Sequence, residues 1–220
     1  MLLEVCCGNV ESAKNAELAG AQRIELCREL PLGGLTPSRQ DIQYCKEHLS
    51  LKTFVLIRPR GGDFNYNETE FQEILSDISF CREIGIPGVV IGFLNADLCI
   101  NLDYCRRAVA AAGNMQVTFH RAFDRCQNWS TALEQIIDSG FSRILTSGQQ
   151  STAPQGADTL AQIVQQAAGR ITILAGSGVT SDNVATLIQE SNVTEVHASC
   201  KLDGHVSNIN EIKKILTLIA

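Results

Sequence analysis

The amino-acid sequence predicts a (β/α)8 TIM barrel, an α/β fold in which eight parallel strands alternate with eight helices. Eight short apolar runs recur along the chain, and stretches with helical periodicity separate them. Strict alternation of strand and helix implies parallel strands joined by right-handed crossovers. Eight such units within 220 residues correspond to the compact end of this fold. The predicted strands cover residues 2–6, 23–27, 53–58, 88–92, 116–120, 143–147, 171–175 and 195–199.

Helix start and stop signals fall between these runs. Thr36 followed by Pro37 predicts a helix start, and residues 180–182 predict the start of the helix after strand seven. Glycines at 20, 85 and 140 predict helix ends. Residues 209–219 are the expected eighth helix. No linker interrupts the pattern, so residues 1–220 are predicted to form a single TIM-barrel domain. An open doubly wound sheet remains the alternative, although no Gly-x-Gly-x-x-Gly motif follows the first strand.

Charge and hydropathy exclude several classes of function. The chain has 18 Lys and Arg against 24 Asp and Glu, a net charge of −6, which argues against binding nucleic acid or anionic membranes. No apolar run is long enough for a transmembrane helix, and the N-terminus has no basic region typical of a signal peptide. We therefore expect a cytoplasmic protein whose nine cysteines are free thiols.

Polar side chains occupy predicted inward positions on several strands. Because strand side chains alternate between two faces, residues two apart share the barrel interior. The inward pairs are Glu4 and Cys6, Glu25 and Cys27, Thr118 and His120, and Glu195 and His197. Barrel active sites lie at the C-terminal ends of the strands, which favours a functional site there. An internal Glu–Arg or Glu–His network that only fixes barrel packing is the alternative interpretation.

Cys6 and Cys27 are predicted at equivalent ends of neighbouring strands. Adjacent strands lie about 4.8 Å apart, so two thiolates at that spacing are candidates to bind one soft metal ion. Thiolate ligands select Cu(I) over hard cations such as Mg²⁺. The alternative is that both cysteines are small buried hydrophobic residues.

A second group of residues predicts an anion site at the same end of the barrel. Arg58, Arg60 and Arg121 follow strands three and five, and arginine suits carboxylate or phosphate recognition. Ser177 and Gly178 follow strand seven, where barrels often bind phosphate.

Acid–base chemistry would need titratable groups beside that anion site. His120, Glu25 and Asp124 are the candidate catalytic residues, with His120 or Glu25 as general acid or base. His197 is the other histidine with a candidate role as acid, base or ligand. These residues allow an enzyme of unknown reaction acting on a small anionic metabolite.

Seven segments together resemble the CutC copper homeostasis protein family. They are LEVCC at 3–7, AQRIELC at 21–27, GGLTPS at 33–38, IRPRGGDFNY at 57–66, TFHRAFD at 118–124, RILTSG at 143–148 and GSGV at 176–179. The resemblance runs in order from residue 2 to about residue 199 and is highly specific.

The resemblance implies a cytosolic barrel that handles copper, with Cu(I) held by Cys6 and Cys27, and it also implies a homodimer. One departure is the connection from residue 200 to about residue 208, which is shorter than the family pattern. The missing segment would cover the catalytic end of the barrel. Two hypotheses follow: a copper homeostasis protein that binds Cu(I), or a TIM-barrel enzyme for a carboxylate or phosphate metabolite.

Overall fold

The computed structural model describes residues 1–202 and 204–220, and its strands close into one parallel barrel in chain order. The strands are β1 (Leu2–Cys7), β2 (Arg23–Leu26), β3 (Lys52–Leu56), β4 (Gly88–Ile91), β5 (Gln116–Phe119), β6 (Arg143–Thr146), β7 (Thr172–Gly176) and β8 (Glu195–Ala198). Each strand pairs in parallel with the next, and β8 pairs with β1 to close the ring. The predicted TIM barrel is confirmed.

Within the described residues, an α-helix follows each strand and packs around the barrel. The helices are α1 (Val10–Ala19), α2 (Arg39–His48), α3 (Glu68–Glu83), α4 (Leu102–Ala112), α5 (Trp129–Asp138), α6 (Ala157–Ala167), α7 (Val184–Ser191) and α8 (Ile209–Leu218). Asparagine or serine side chains cap six of them, and Gly20 ends α1 in the left-handed conformation at φ +90°. None of these helices combines the length and the apolar character needed to span a membrane.

Two predicted helix starts are wrong. Ser38, and not Thr36, caps α2, since its hydroxyl accepts the backbone N–H of Asp41 at 3.1 Å. The hydroxyl of Thr36 instead accepts the backbone N–H of Arg58 at 2.8 Å, which keeps this segment extended beside the end of β3. After β7, the chain makes a turn before α7, in which the backbone N–H of Asn183 donates to the carbonyl oxygen of Thr180 at 3.2 Å.

The barrel wall separates two cores. Leu3, Val5 and Cys7 of β1 point outward into the apolar layer between strands and helices. Cys6 points inward and packs with Cys27, Phe54, Leu56 and Val90. The side chains thus alternate as the sequence predicts.

Ion pairs fill the interior on the N-terminal side of the cysteines. We call Glu4, Arg23, Arg143 and Glu195 the interior ion network. Arg23 donates to Glu4 at 2.5 Å and also to Glu195, and Arg143 donates to Glu195 at 2.6 Å. The Phe54 ring lies within 5.4 Å of both guanidinium groups. The Glu–Arg network considered from the sequence therefore exists, one layer away from the cysteines.

Candidate functional site

Cys6 and Cys27 lie side by side at the C-terminal end of the barrel interior. Cys6 lies on β1 opposite Glu25 of β2, and Cys27 directly follows β2. Their Sγ atoms are 4.0 Å apart, and the two residues are 6% and 1% exposed. A zinc–thiolate bond is about 2.3 Å long. One metal ion of similar size can therefore contact both sulfur atoms.

Glu25 lies beside the two thiols. Its Oε1 atom is 3.7 Å from Sγ of Cys6, and its buried Oε2 atom has no hydrogen-bond partner among the described residues. Burial raises the pKa of Glu25 to about 7. A carboxyl group that changes charge near neutral pH is therefore available beside the sulfur atoms.

His197 of β8 approaches Cys6 from the opposite side of β1. Its Nδ1 atom lies 2.8 Å from Oε1 of Glu4. Burial opposes ionisation of Glu4, but the hydrogen bond from His197 and the charge of Arg23 hold the Glu4 pKa at about 2. Burial also disfavours the imidazolium, yet hydrogen bonds to Cys6 and Glu4 raise the pKa of His197 well above its usual value. A buried positive charge therefore adjoins the Cys6 thiol.

The Cys6 thiol retains its proton in this arrangement. The hydrogen bond with Cys27, together with burial, raises the Cys6 pKa well above its usual value, although His197 acts in the opposite direction. Metal binding requires the thiolate, so a metal ion at this position must displace a proton.

Two sets of three potential ligands share Glu25. In one set, donor atoms of Cys6, Glu25 and Cys27 lie within 4.8 Å of one another; in the other, those of Glu4, Glu25 and His197 do. Glu4 is already engaged by Arg23. The first set combines two soft sulfur donors with an unpartnered buried oxygen, and this composition fits Cu(I) better than a hard cation.

His120 lies buried at the end of β5. Its Nδ1 atom accepts the backbone N–H of Ala122 at 3.2 Å, which assigns the proton of the neutral ring to Nε2. Nε2 has no partner among the described residues. Burial, and then the charge of Arg58, lowers the pKa of His120 to about 3. The neutral ring, packed against Phe64 at 4.8 Å, is thus a hydrogen-bond donor rather than a cation.

Arg58 and Arg60 form several bonds each, which tie the loop after β3 to its neighbours. Arg58 is buried and donates to the carbonyl oxygens of Leu32, Gly34 and Gly62. Arg60 is half-exposed and forms ion pairs with Glu70 at 2.5 Å and Asp63 at 2.9 Å.

Asp124 and Arg121 join the loops after β5 and β6. Asp124 accepts hydrogen bonds from Arg121 at 2.8 Å, from Thr146 at 2.5 Å and from both the N–H and the hydroxyl of Ser147. Its backbone partners also include Gln149. This carboxylate therefore organises the two loops, while Arg121 retains 41% side-chain exposure.

Two cavities at the C-terminal end of the barrel are lined by predicted site residues. The larger, of about 630 Å³, is lined by Arg58, Arg121 and Arg125 together with Asp63 and Asp124. Three arginines against two aspartates give this cavity an excess of positive charge.

The second cavity has about 350 Å³, and we call it the Cys6 cavity. Cys6 and His197 line it together with Ser177 and Gly178. Arg121 and Lys201 also contribute to its wall. The structure therefore brings the residues predicted for anion binding after β7 to the same cavity as one of the predicted metal ligands.

Sequence reasoning missed Lys201, Arg125 and the link between Glu4 and His197. Lys201 lies three residues after β8, and Arg125 lies six residues after β5. The loops that follow the strands form the mouth of the barrel, so these positions could have indicated that both residues lie near the site. Glu4 and His197 were both predicted inward, but their contact depends on the register of β1 against β8.

Comparison with known proteins identifies relatives across most of the chain. The model of the CutC family matches residues 1–202. A family protein CutC of Vibrio campbellii is 45% identical over 217 residues, covering 97% of this chain and 88% of the relative. One from Chromobacterium violaceum is 44% identical and covers 91% and 81% of the two chains.

Solved structures agree with these matches. The crystal structure of CutC from Streptococcus agalactiae, described as a proposed copper homeostasis protein, superposes with a TM-score of 0.86 at 30% identity, covering 90% of this chain and 98% of that one. A phosphoribosylanthranilate isomerase from Pyrococcus furiosus has a TM-score of 0.63 at 11% identity over 100% of this chain and 98% of its own, which indicates the fold alone. The chain belongs to the CutC family.

Proposed function

We propose that this protein binds Cu(I) through Cys6 and Cys27 and serves copper homeostasis in the cytoplasm. The observation that carries the proposal is the 4.0 Å separation of two buried sulfur atoms at the C-terminal end of the barrel. The description of the Streptococcus agalactiae relative as a proposed copper homeostasis protein supports it. The single domain expected for residues 1–220 is then a scaffold whose first two strands supply both sulfur ligands.

The charges around the sulfur atoms support a Cu(I) complex. The four charges of the interior ion network cancel one another, and protonated His197 adds one positive charge beside Cys6. Cu(I) held by two thiolates carries one net negative charge. The complex therefore balances the imidazolium, and this compensation matters because an unpaired charge is costly inside a protein.

Glu25 is the candidate third ligand or proton acceptor. Its free Oε2 atom and the raised pKa of about 7 fit a group that either takes up a proton displaced from a thiol or loses its own proton on binding the metal ion. Its replacement by glutamine would preserve the shape of the side chain while removing the charge.

Anaerobic titration with Cu(I) against a competing chelator tests the proposal. We expect the wild type to bind one ion per chain, and Cys27→Ser to lower the affinity at least about 100-fold, beyond the usual effect of a residue that only supports a ligand. Cys7→Ser is the matched control, since Cys7 is buried on β1 next to Cys6 but faces the helices. Equal affinity in Cys27→Ser and Cys7→Ser would contradict the proposal.

A second candidate function is catalysis on a small anionic metabolite. The 630 Å³ cavity with three arginines, and the unpartnered Nε2–H of His120 at the same end of the barrel, favour it. A thermal-shift screen of small carboxylates and phosphates tests this function. We expect a ligand that raises the melting temperature of the wild type but not of Arg121→Gln; no shift across the panel would count against catalysis.

A further inference from the structure

The Cys6 cavity connects the proposed copper ligand to the mouth of the barrel. Cys6 and His197 line it from the barrel interior, and the residues after β7 and β8 form the rest of its lining. Its volume of about 350 Å³ is far larger than one metal ion requires and suits a small organic molecule.

Positive groups dominate the lining of the Cys6 cavity. Arg121 and Lys201 contribute two positively charged side chains, and Arg121 also forms an ion pair with Asp124 at 2.8 Å. A Cβ atom on Gly8 would lie 3.7 Å from Nζ of Lys201, so this ammonium group lies over the end of β1. The acidic residue of the lining, Glu211, already accepts the N–H and hydroxyl of Ser181 at 2.7 and 2.9 Å. Such a lining repels a free metal cation and attracts anions.

The turn after β7 adds a second binding feature to the same cavity. Ser177 and Gly178 have positive φ angles of 84° and 71°, a conformation that is unusual for serine. Within the described chain, the backbone N–H groups of Gly178 and Val179 have no hydrogen-bond acceptor. Backbone N–H groups at this position of a barrel commonly bind an anionic group.

We infer that copper reaches Cys6 as an anionic Cu(I)–thiolate complex of a small thiol that carries a carboxylate. The inference rests on the proposed copper function and names the donor for that same site. The sulfur of the donor meets Cys6 at one side of the cavity, and its carboxylate meets Lys201 and the turn after β7 at the other. A free Cu(I) ion would use neither of those features.

Transfer then proceeds by ligand exchange without a redox step. Cu(I) enters bound to two donor thiolates, and each donor sulfur–copper bond breaks as a bond to Cys6 or Cys27 forms. The proton of each cysteine thiol passes to a departing thiolate, so two neutral thiol groups leave. The copper complex has one negative charge before and after exchange, counting copper and its two sulfur ligands.

Rates of copper transfer from two matched donors test this inference. Mercaptoacetate and mercaptoethanol are two-carbon thiols that differ in carrying a carboxylate or a hydroxyl group. Each is loaded anaerobically with Cu(I) and mixed with the wild type, Lys201→Glu or Lys46→Glu at low ionic strength. Lys46 lies near the C-terminal end of α2, away from the Cys6 cavity, and its replacement changes the net charge equally. The measured quantity is the ratio of the two transfer rate constants.

We expect the wild type and Lys46→Glu to share one rate ratio, and Lys201→Glu to lower that ratio about tenfold. The ratio falls because the rate constant for transfer from mercaptoacetate decreases. The equilibrium affinity for Cu(I), measured against a chelator, stays unchanged. The advantage of mercaptoacetate in the wild type also decreases as salt is added.

An unchanged ratio in Lys201→Glu, with Cys27-dependent affinity intact, overturns the inference and leaves the proposed function standing. Absence of Cu(I) binding by the wild type would contradict both this inference and the proposed function. If charge reversal lowers the melting temperature, Lys201→Gln provides a milder variant. We expect it to lower the ratio of transfer rate constants by a smaller factor, and an unchanged ratio in this variant would also overturn the inference.

Discussion

The Nδ1 atom of His197 lies 2.8 Å from Oε1 of Glu4, although 193 residues separate them in the sequence. The contact joins β8 to β1 and keeps the imidazole charged next to Cys6. Because Glu4 also accepts from Arg23, one carboxylate contacts two cationic side chains inside the barrel.

Glu4→Gln is expected to destabilise the protein strongly. The substitution leaves Arg23 and His197 without their shared anion, and breaking a buried ion pair costs about 3–5 kcal/mol. The free energy of unfolding in urea measures this loss. Glu134→Gln removes one side of the surface pair with Arg170 and should change stability little. A similar decrease in the free energy of unfolding in both variants would contradict the prediction that the buried pair contributes more than the surface pair.

The same pair predicts a dependence of stability on acid pH. Since the pKa of Glu4 is about 2 in the folded chain against 4.5 ordinarily, its contribution is present above pH 4.5 and is lost as the pH falls toward 2. Urea unfolding from pH 6 to pH 2 should show a steeper decline in the wild type than in Glu4→Gln. Parallel dependences of the free energy of unfolding on pH in the two proteins would contradict the lowered pKa of Glu4.

His120→Asn is expected to flatten the stability profile between pH 6.5 and pH 3. The folded pKa of about 3 lies below the ordinary 6.5, so the unfolded chain binds the proton first and stability falls as the pH falls through this range. At pH 5 the wild type should have lost on the order of 2 kcal/mol relative to pH 8 from this residue. The difference between variant and wild-type profiles isolates the effect, and His48→Asn, at an exposed position of α2, is the matched control substitution.

Glu25→Gln is expected to remove a loss of stability that the wild type undergoes as the pH rises. The folded pKa of about 7 lies above the ordinary 4.5, so the stabilising contribution is present below pH 4.5 and is lost as the pH rises through 7. The variant should gain melting temperature over the wild type at pH 8 and little at pH 4.5. Glu73→Gln, at an exposed position of α3, is the matched control substitution. A loss of stability in Glu25→Gln at pH 8 would contradict the prediction.

Cys6 and Cys27 should form a disulfide when a thiol oxidant is added. Their Sγ atoms are 4.0 Å apart, and a disulfide needs only a small approach to about 2.05 Å. In a Cys99→Ser background, which removes the exposed thiol, mild oxidation should consume two thiols per chain and abolish Cu(I) binding. Adding Cys27→Ser should prevent this loss, and bound Cu(I) should slow it. Equal thiol loss with and without Cys27 would contradict the prediction.

The strands and the neighbouring positions of Cys6 and Cys27 are predictable because they depend on local patterns. Side-chain alternation along β1 and β2 is enough to direct both cysteines inward. The pairing of Glu4 with His197 depends on how the last strand registers against the first, and no local pattern carries that information.

The hydrogen bonds of the loops could not be predicted from local sequence patterns either. Thr36 resembles a helix cap in sequence, yet its hydroxyl bonds to the backbone of Arg58 because the end of β3 lies beside it. Asp124 similarly bonds to Thr146 and Ser147, which belong to the next strand and its loop. In both places a tertiary partner determines the hydrogen bond.

Closure of β8 onto β1 has a consequence for the chain during its synthesis. Cys6 and Cys27 belong to the first 27 residues, whereas His197 and Glu195 emerge about 170 residues later, roughly 10–30 s at ordinary ribosome speed. Throughout that interval the nascent chain displays two thiols without the barrel that later buries them. Oxidation or premature metal capture during translation is therefore a specific hazard for this fold, and the final strand ends it.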